Sequence, residues 1–108
     1  MKIKWADDKK RIMRYLRFEF PKEKDMIMFY KGSRIKIDYC KLKPIIDDFV
    51  ENYDDLGKII KLICIENTEA KNVMQDMVLA RSTIYKKLDN AIKIIVEKII
   101  LNTEVQNG

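Results

Sequence analysis

At 108 residues, 47% of them hydrophobic and 36% charged, the chain has material for one modest core and a single domain, residues 1–108. It carries a formal charge of +5, no histidine, and only two cysteines, Cys40 and Cys64, outside any CxxC spacing. That residue set excludes a zinc site of the usual kind and leaves acid–base catalysis without its commonest agent, so no metal, no cofactor and no enzyme activity is expected.

The opening MKIKWADDKK lacks the apolar stretch of a signal peptide, and no apolar run is long enough to span a bilayer. A cytoplasmic protein with no membrane partner is expected, its two cysteines serving as buried apolar groups. The charge is unevenly placed. Lys2, Lys4, Lys9, Lys10, Arg11, Arg14 and Arg17 crowd the first segment, while Asp47, Asp48, Glu51, Asp54, Asp55 and Glu66 make the middle acidic. A polyanion partner accounts for the basic ends, and so does a plain solvated lysine surface.

Asp7 to Phe20 reads as a helix. Asp7 and Asp8 favour its N-terminus, Ile12, Leu16 and Phe20 recur at i, i+4 and i+8, and Pro21 stops it. Trp5 is expected to anchor the N-terminus by packing. Met26 to Tyr30 is a short apolar run, Lys31-Gly32-Ser33-Arg34 is turn-like, and Ile35, Ile37 and Tyr39 alternate with polar residues. This predicts a short β-hairpin near 26–39, which must pack on a helix to persist. With the helix before it, the hairpin makes 1–43 a basic N-terminal part, and 44–108 the remaining helical part.

Pro44 suits a helix's first turn, and Ile45, Ile46, Phe49 and Val50 give that helix an apolar face. A break at 52–55, with Asp54 or Asp55 as cap, precedes a helix over Leu56 to Ile65 that is apolar around much of its circumference and therefore central. Asn67-Thr68 supplies another cap.

Asn72 to Leu88, NVMQDMVLARSTIYKKL, then reads as two helices joined by a tight turn. Val73, Met74 and Met77 face inward from the first, Leu79 plugs the turn, and Ile84 and Leu88 point inward from the second. Ser82, Thr83, Tyr85, Lys86 and Asp89 are left on or near the exposed side, with Arg81 at the helix start and Lys87 adding its charge to that of Lys86. An arginine at a helix start can fork onto a guanine edge, and hydroxyls beside free backbone N–H groups can hold a phosphate oxygen. Lysines add attraction that weakens with salt. The helical pattern runs on to about Leu101, with Leu88, Ile92, Ile95 and Ile99 in one stripe. This stripe must fold back on the rest of the chain or pair with a second copy, and a homodimer through these four residues is the expectation favoured here.

VLARSTIYKKLDNAIKII resembles the C-terminal part of sigma-70 region 4 and related small helix-turn-helix regulators, in particular phage-encoded late-gene activators of the autolysin-regulator type. The likeness rests on Arg81 to Leu88 followed by Ala91 and covers roughly the C-terminal half. It departs from that pattern at Met74, where a small residue is usual, at Val78, where glycine is usual, and at Ala80, where a serine cap is usual. The resemblance implies a mainly α domain with a C-terminal helix-turn-helix and a long last helix. It also implies sequence-specific binding of double-stranded DNA by Arg81, Ser82, Thr83, Tyr85 and Lys86, and a transcriptional regulator of phage or mobile-element origin; Lys87 adds non-specific attraction to that set. The alternative is a protein-interaction module, such as an RNA polymerase-binding adaptor or inhibitor, that uses the basic N-terminal half and the C-terminal stripe.

Overall fold

The computed structural model describes residues 5–30 and 32–107, without the side chains of 5–8, 29, 30, 33 and 103–107. Lys2, Lys4 and the Trp5 side chain lie outside the described residues. The chain forms a mainly α domain of five helices and one hairpin: α1 (Trp5–Arg14), β1 (Met26–Tyr30), β2 (Ser33–Ile37), α2 (Tyr39–Asn52), α3 (Asp54–Ile59), α4 (Ala70–Met77) and α5 (Arg81–Asn107).

The first helix does not end where its α-helical hydrogen bonding does. It continues through π-helical turns over Tyr15–Glu19 and a 3-10 turn over Phe20–Lys22. Pro21 is taken into that last turn, because a ring with fixed φ and no N–H is harmless at a helix start. The chain turns instead at Glu23, which adopts a left-handed φ of 58°. Ile12, Leu16 and Phe20 are buried, as their spacing predicts. The Tyr15 hydroxyl donates to the Lys24 carbonyl at 2.6 Å, which satisfies the one polar atom of an otherwise buried ring.

The hairpin pairs Met26 with Ile37 and Met28 with Ile35 on the face turned to the core, and Ile27 with Lys36 on the other. Gly32, at φ 76°, supplies the positive-φ residue that a tight hairpin turn requires. Tyr39 belongs to α2 and not to the strand. Its backbone N–H donates to Asp25 Oδ1 at 2.7 Å, so a carboxylate before β1 starts the helix. Pro44 therefore lies inside α2 and not in its first turn. Its missing N–H strands the Cys40 carbonyl, and Cys40 is exposed to water, which makes the break tolerable.

Tyr53, not Asp54 or Asp55, precedes α3, and no side-chain cap bond forms there; both aspartates sit in the helix's first turn. Gly57 is required. A Cβ at that position would lie 2.5 Å from the Phe49 carbonyl oxygen and 2.6 Å from that of Val50. α2 and α3 cross with backbone nearly against backbone. Beyond Ile59 the helix widens to π-helical turns over Ile60–Ile65, closed by the Glu66 N–H to the Lys61 carbonyl at 2.8 Å. Asn67 then turns at φ 53°, the Thr68 N–H reaches back to the Leu62 carbonyl, and Glu69 takes the capping position before α4.

α5 is the spine, in contact with α1, α2, α3 and α4. Ile84, Leu88, Ala91, Ile92, Ile95, Val96, Ile99 and Ile100 are all buried against them. This corrects the expectation of a dimer stripe. Leu88, Ile92, Ile95 and Ile99 are each no more than 1% exposed within one chain, so the rest of the chain covers them and they offer no surface to a second copy. Burial of each such side chain contributes about 1.5–3 kcal/mol. No helix among the described residues is long and apolar enough to cross a membrane.

Candidate nucleic-acid interface

The start of α5 is built from below. α4 buries Val73 and half-buries Met74 and Met77, and Lys58 of α3 holds its outer side through Asp76 at 3.0 Å. The chain leaves α4 through Val78, at φ 55° and ψ 48°. The Val78 and Leu79 N–H groups both turn back to the Met74 carbonyl, the latter at 3.2 Å, while the Leu79 side chain packs on the core. This is the left-handed helix ending that glycine normally supplies, with its usual apolar contact one residue later. Val78 adopts the left-handed conformer although it lacks the ease that the usual glycine would bring there. The packing of Leu79 and Ile84 on either side imposes that conformer on a β-branched residue whose own side chain is 86% exposed.

Three residues, 78–80, separate α4 from α5. The first i to i−4 hydrogen bond of α5 runs from the Ile84 N–H to the Ala80 carbonyl at 3.1 Å, which makes Ala80 the capping residue. Alanine offers no oxygen to the free N–H groups of the first turn. That turn carries no acidic residue. Its own residues are Arg81, Ser82 and Thr83, so a cation and two hydroxyls stand at the positive end of the helix dipole. For the isolated fold the alanine cap and the arginine are unfavourable choices. For an anion arriving from outside they are favourable ones.

Arg81, Ser82, Tyr85 and Lys86 are exposed and Thr83 is half-buried; Tyr85 keeps 45% of its surface. Positions 81, 82, 85 and 86 fall on adjacent turns of one face. Among the described residues neither Arg81 nor Lys86 has an ion-pair partner. Lys9, Lys36, Lys43, Lys58, Lys61, Lys71 and Lys87 are each paired with a carboxylate.

Lys87 differs from Arg81 and Lys86 in having a carboxylate near it. It is directed to the flank of α5 that faces α3, with its Nζ 3.7 Å from Asp55. Asp89, one turn beyond Tyr85 and Lys86 on the same face, pairs with Lys9 of α1. Neither pairing had a signal in local spacing, because each joins elements distant in sequence.

The two thiols differ in kind. Cys40 is exposed, whereas burial pushes the Cys64 thiol up to about 11. Among the described residues no group of three or more His, Cys, Asp or Glu side chains is gathered to hold a metal ion. Comparison of the chain with protein-family models, curated proteins and solved structures finds no match.

Proposed function

We propose that this chain is a sequence-specific DNA-binding transcriptional regulator. α4 acts as the supporting helix and the first two turns of α5 enter the major groove. One observation carries the reading: the start of α5 presents Arg81, Ser82, Tyr85 and Lys86 together, exposed, uncapped and without a first-turn acid. The resemblance of this segment to sigma-70 region 4 and to phage late-gene activators supports the same reading, and a phage or mobile-element origin and a cytoplasmic location go with it.

Each residue has a role in that reading. Arg81 forks onto a guanine edge, the bidentate contact that arginine geometry favours. Ser82 and Thr83, with the first N–H groups of α5, hold a phosphate oxygen and fix the helix in register. Tyr85 reaches a thymine methyl or the backbone, and Lys86 adds a phosphate contact. Lys87 stays with Asp55. The apolar stripe of α5 is already covered by its own chain, so this reading does not use it to join a second copy.

The test is selection of bound duplexes from a random-sequence pool, followed by anisotropy titration of the enriched duplex across salt. Wild type should enrich a defined sequence. Arg81→Ala should lose about 1–3 kcal/mol of discrimination at one base pair. Lys86→Ala should weaken all duplexes alike and flatten the salt slope by about 0.9. No enrichment and no duplex binding at about 50 mM salt would remove the proposal.

A second reading, a protein-interaction module such as an adaptor or inhibitor of RNA polymerase, draws on the other end of α5. There Pro44, Ile45, Asp48, Lys98, Leu101 and Asn102 line a shallow groove of about 470 Å³, with Leu101 63% exposed. This groove lies about 30 Å along the helix from Arg81, so the two surfaces can be altered independently. Leu101→Glu should leave duplex binding unchanged under the first reading and abolish partner capture under the second.

A further inference from the structure

The cationic first segment divides sharply in space. Lys9 is consumed by Asp89, and Arg17 is half-buried beside Cys64. Lys10, Arg11 and Arg14 are exposed and line one cleft of about 570 Å³ with Tyr15, Glu19, Asp25 and Ile27. Of the two carboxylates there, Asp25 is already engaged by the Tyr39 N–H at 2.7 Å and by Lys36 at 3.5 Å. The hairpin side of the cleft is cationic too. Ile27 shares its outward face with Arg34 and Lys36, while Met26, Met28, Ile35 and Ile37 turn inward.

The helix that bears the cleft's cations is also in contact with α5. The Lys9–Asp89 pair fixes α1 against α5 at a residue only three positions beyond Lys86. Lys10 follows Lys9 directly in the chain, and Arg14 stands about one turn further on.

We infer that Lys10 and Arg14 form a second DNA contact that grips the phosphate backbone flanking the groove occupied by α5. This rests on the DNA-binding reading of α5. Chemistry favours phosphate over an acidic protein partner. The cleft is open and mostly polar, and its one aliphatic residue, Ile27, is 37% exposed, so it offers no pocket for an anchoring side chain. Spacing favours it as well. Lys10 and Arg14 stand one turn apart on one face, separated by about 6 Å of helix rise, against a strand that presents a phosphate every ~3.4 Å. Two cations at that interval address two phosphates of one strand and read no base.

The experiment uses the full chain, its selected duplex and a scrambled duplex, titrated across salt. Lys10→Ala/Arg14→Ala should flatten the slope of log K against log salt by about 1.8 and lower affinity about 60-fold at 0.1 M salt, on both duplexes equally. The charge-conserving Lys10→Arg/Arg14→Lys should keep the wild-type slope. Circular dichroism of both variants should match wild type, since the substituted side chains are exposed. An unchanged slope in the alanine variant, or a loss confined to the selected duplex, overturns the inference while leaving α5 as reader. Preferential binding of polyglutamate over duplex at this cleft overturns it in favour of a protein partner. Wild type that binds neither duplex overturns it together with the reading of α5.

Discussion

Val78→Gly should stabilise this protein, against the usual direction of a substitution to glycine. Val78 occupies left-handed backbone space at φ 55° and ψ 48°, where an L-residue pays about 1–2 kcal/mol and a β-branched one is least at ease. Its side chain is 86% exposed, so truncation forfeits almost no burial. The opposing term is the greater freedom of glycine in the unfolded chain, about 0.5–1 kcal/mol. The difference favours glycine by about 0–1.5 kcal/mol, centred on about 0.75 kcal/mol, and each kcal/mol corresponds to roughly 4–8 °C in Tm in a domain of this size. Urea denaturation followed by circular dichroism measures it, with an unchanged m-value as the sign that only stability has moved. Val78→Ala removes the branch but not the left-handed strain and should fall between the two. If Val78→Gly is no more stable than wild type, the turn is not held in the conformation described here, and the placement of α5 on α4 falls with it.

Gly57→Ala should cost about 1–3 kcal/mol, because its Cβ meets two backbone carbonyls that cannot rotate away; thermal unfolding checks this. Ile92→Ala should lower stability by about 2–5 kcal/mol at every protein concentration, since the side chain is buried by its own chain; a cost that appears only at high protein concentration would place Ile92 at a contact between copies. Cys40 should react with a thiol reagent in the folded protein and Cys64 only on unfolding, so one equivalent is fast and the second appears with denaturant. Cys64 also sets an alkaline limit. The folded thiol is held up to about 11 by burial, above the ordinary value of 9.0, so its contribution is intact below pH 9 and is lost as pH rises toward 11. Over that window stability should fall more steeply in wild type than in Cys64→Ala, by about 1.4 kcal/mol per pH unit at most.

What the residues disclosed in advance follows from how local the causes are. The hairpin was legible because its pairing is written in period two around Gly32. The inward residues of α4 and α5 were legible because Val73, Ile84 and Leu88 obey helical spacing. The π-helical widening at Ile60–Ile65 was not, since a segment apolar on most sides buries equally well at 3.6 residues per turn or more. The true start of α2 depends on Asp25, fourteen residues before Tyr39, and no propensity encodes that bond. The stripe on α5 declared that something must cover it and could not say what; α1, α2 and α3 do. The exposed group at Arg81 was found from its residue types, and the loss of Lys87 to Asp55 needed the fold. At Val78 and Ala80 the local rules of turn and cap chemistry are broken beside the face proposed to bind DNA. Such conflicts gather where a surface serves something other than stability.

Amide resonance mapping of the intact protein, on addition of its selected duplex, addresses the central claim most directly. The account predicts the largest shifts at Arg81 to Lys86, with a smaller, salt-sensitive set at Lys10 to Arg14 and none around Ile45 and Leu101. Shifts confined to the Ile45–Leu101 groove, or no shifts at saturating duplex, would contradict it.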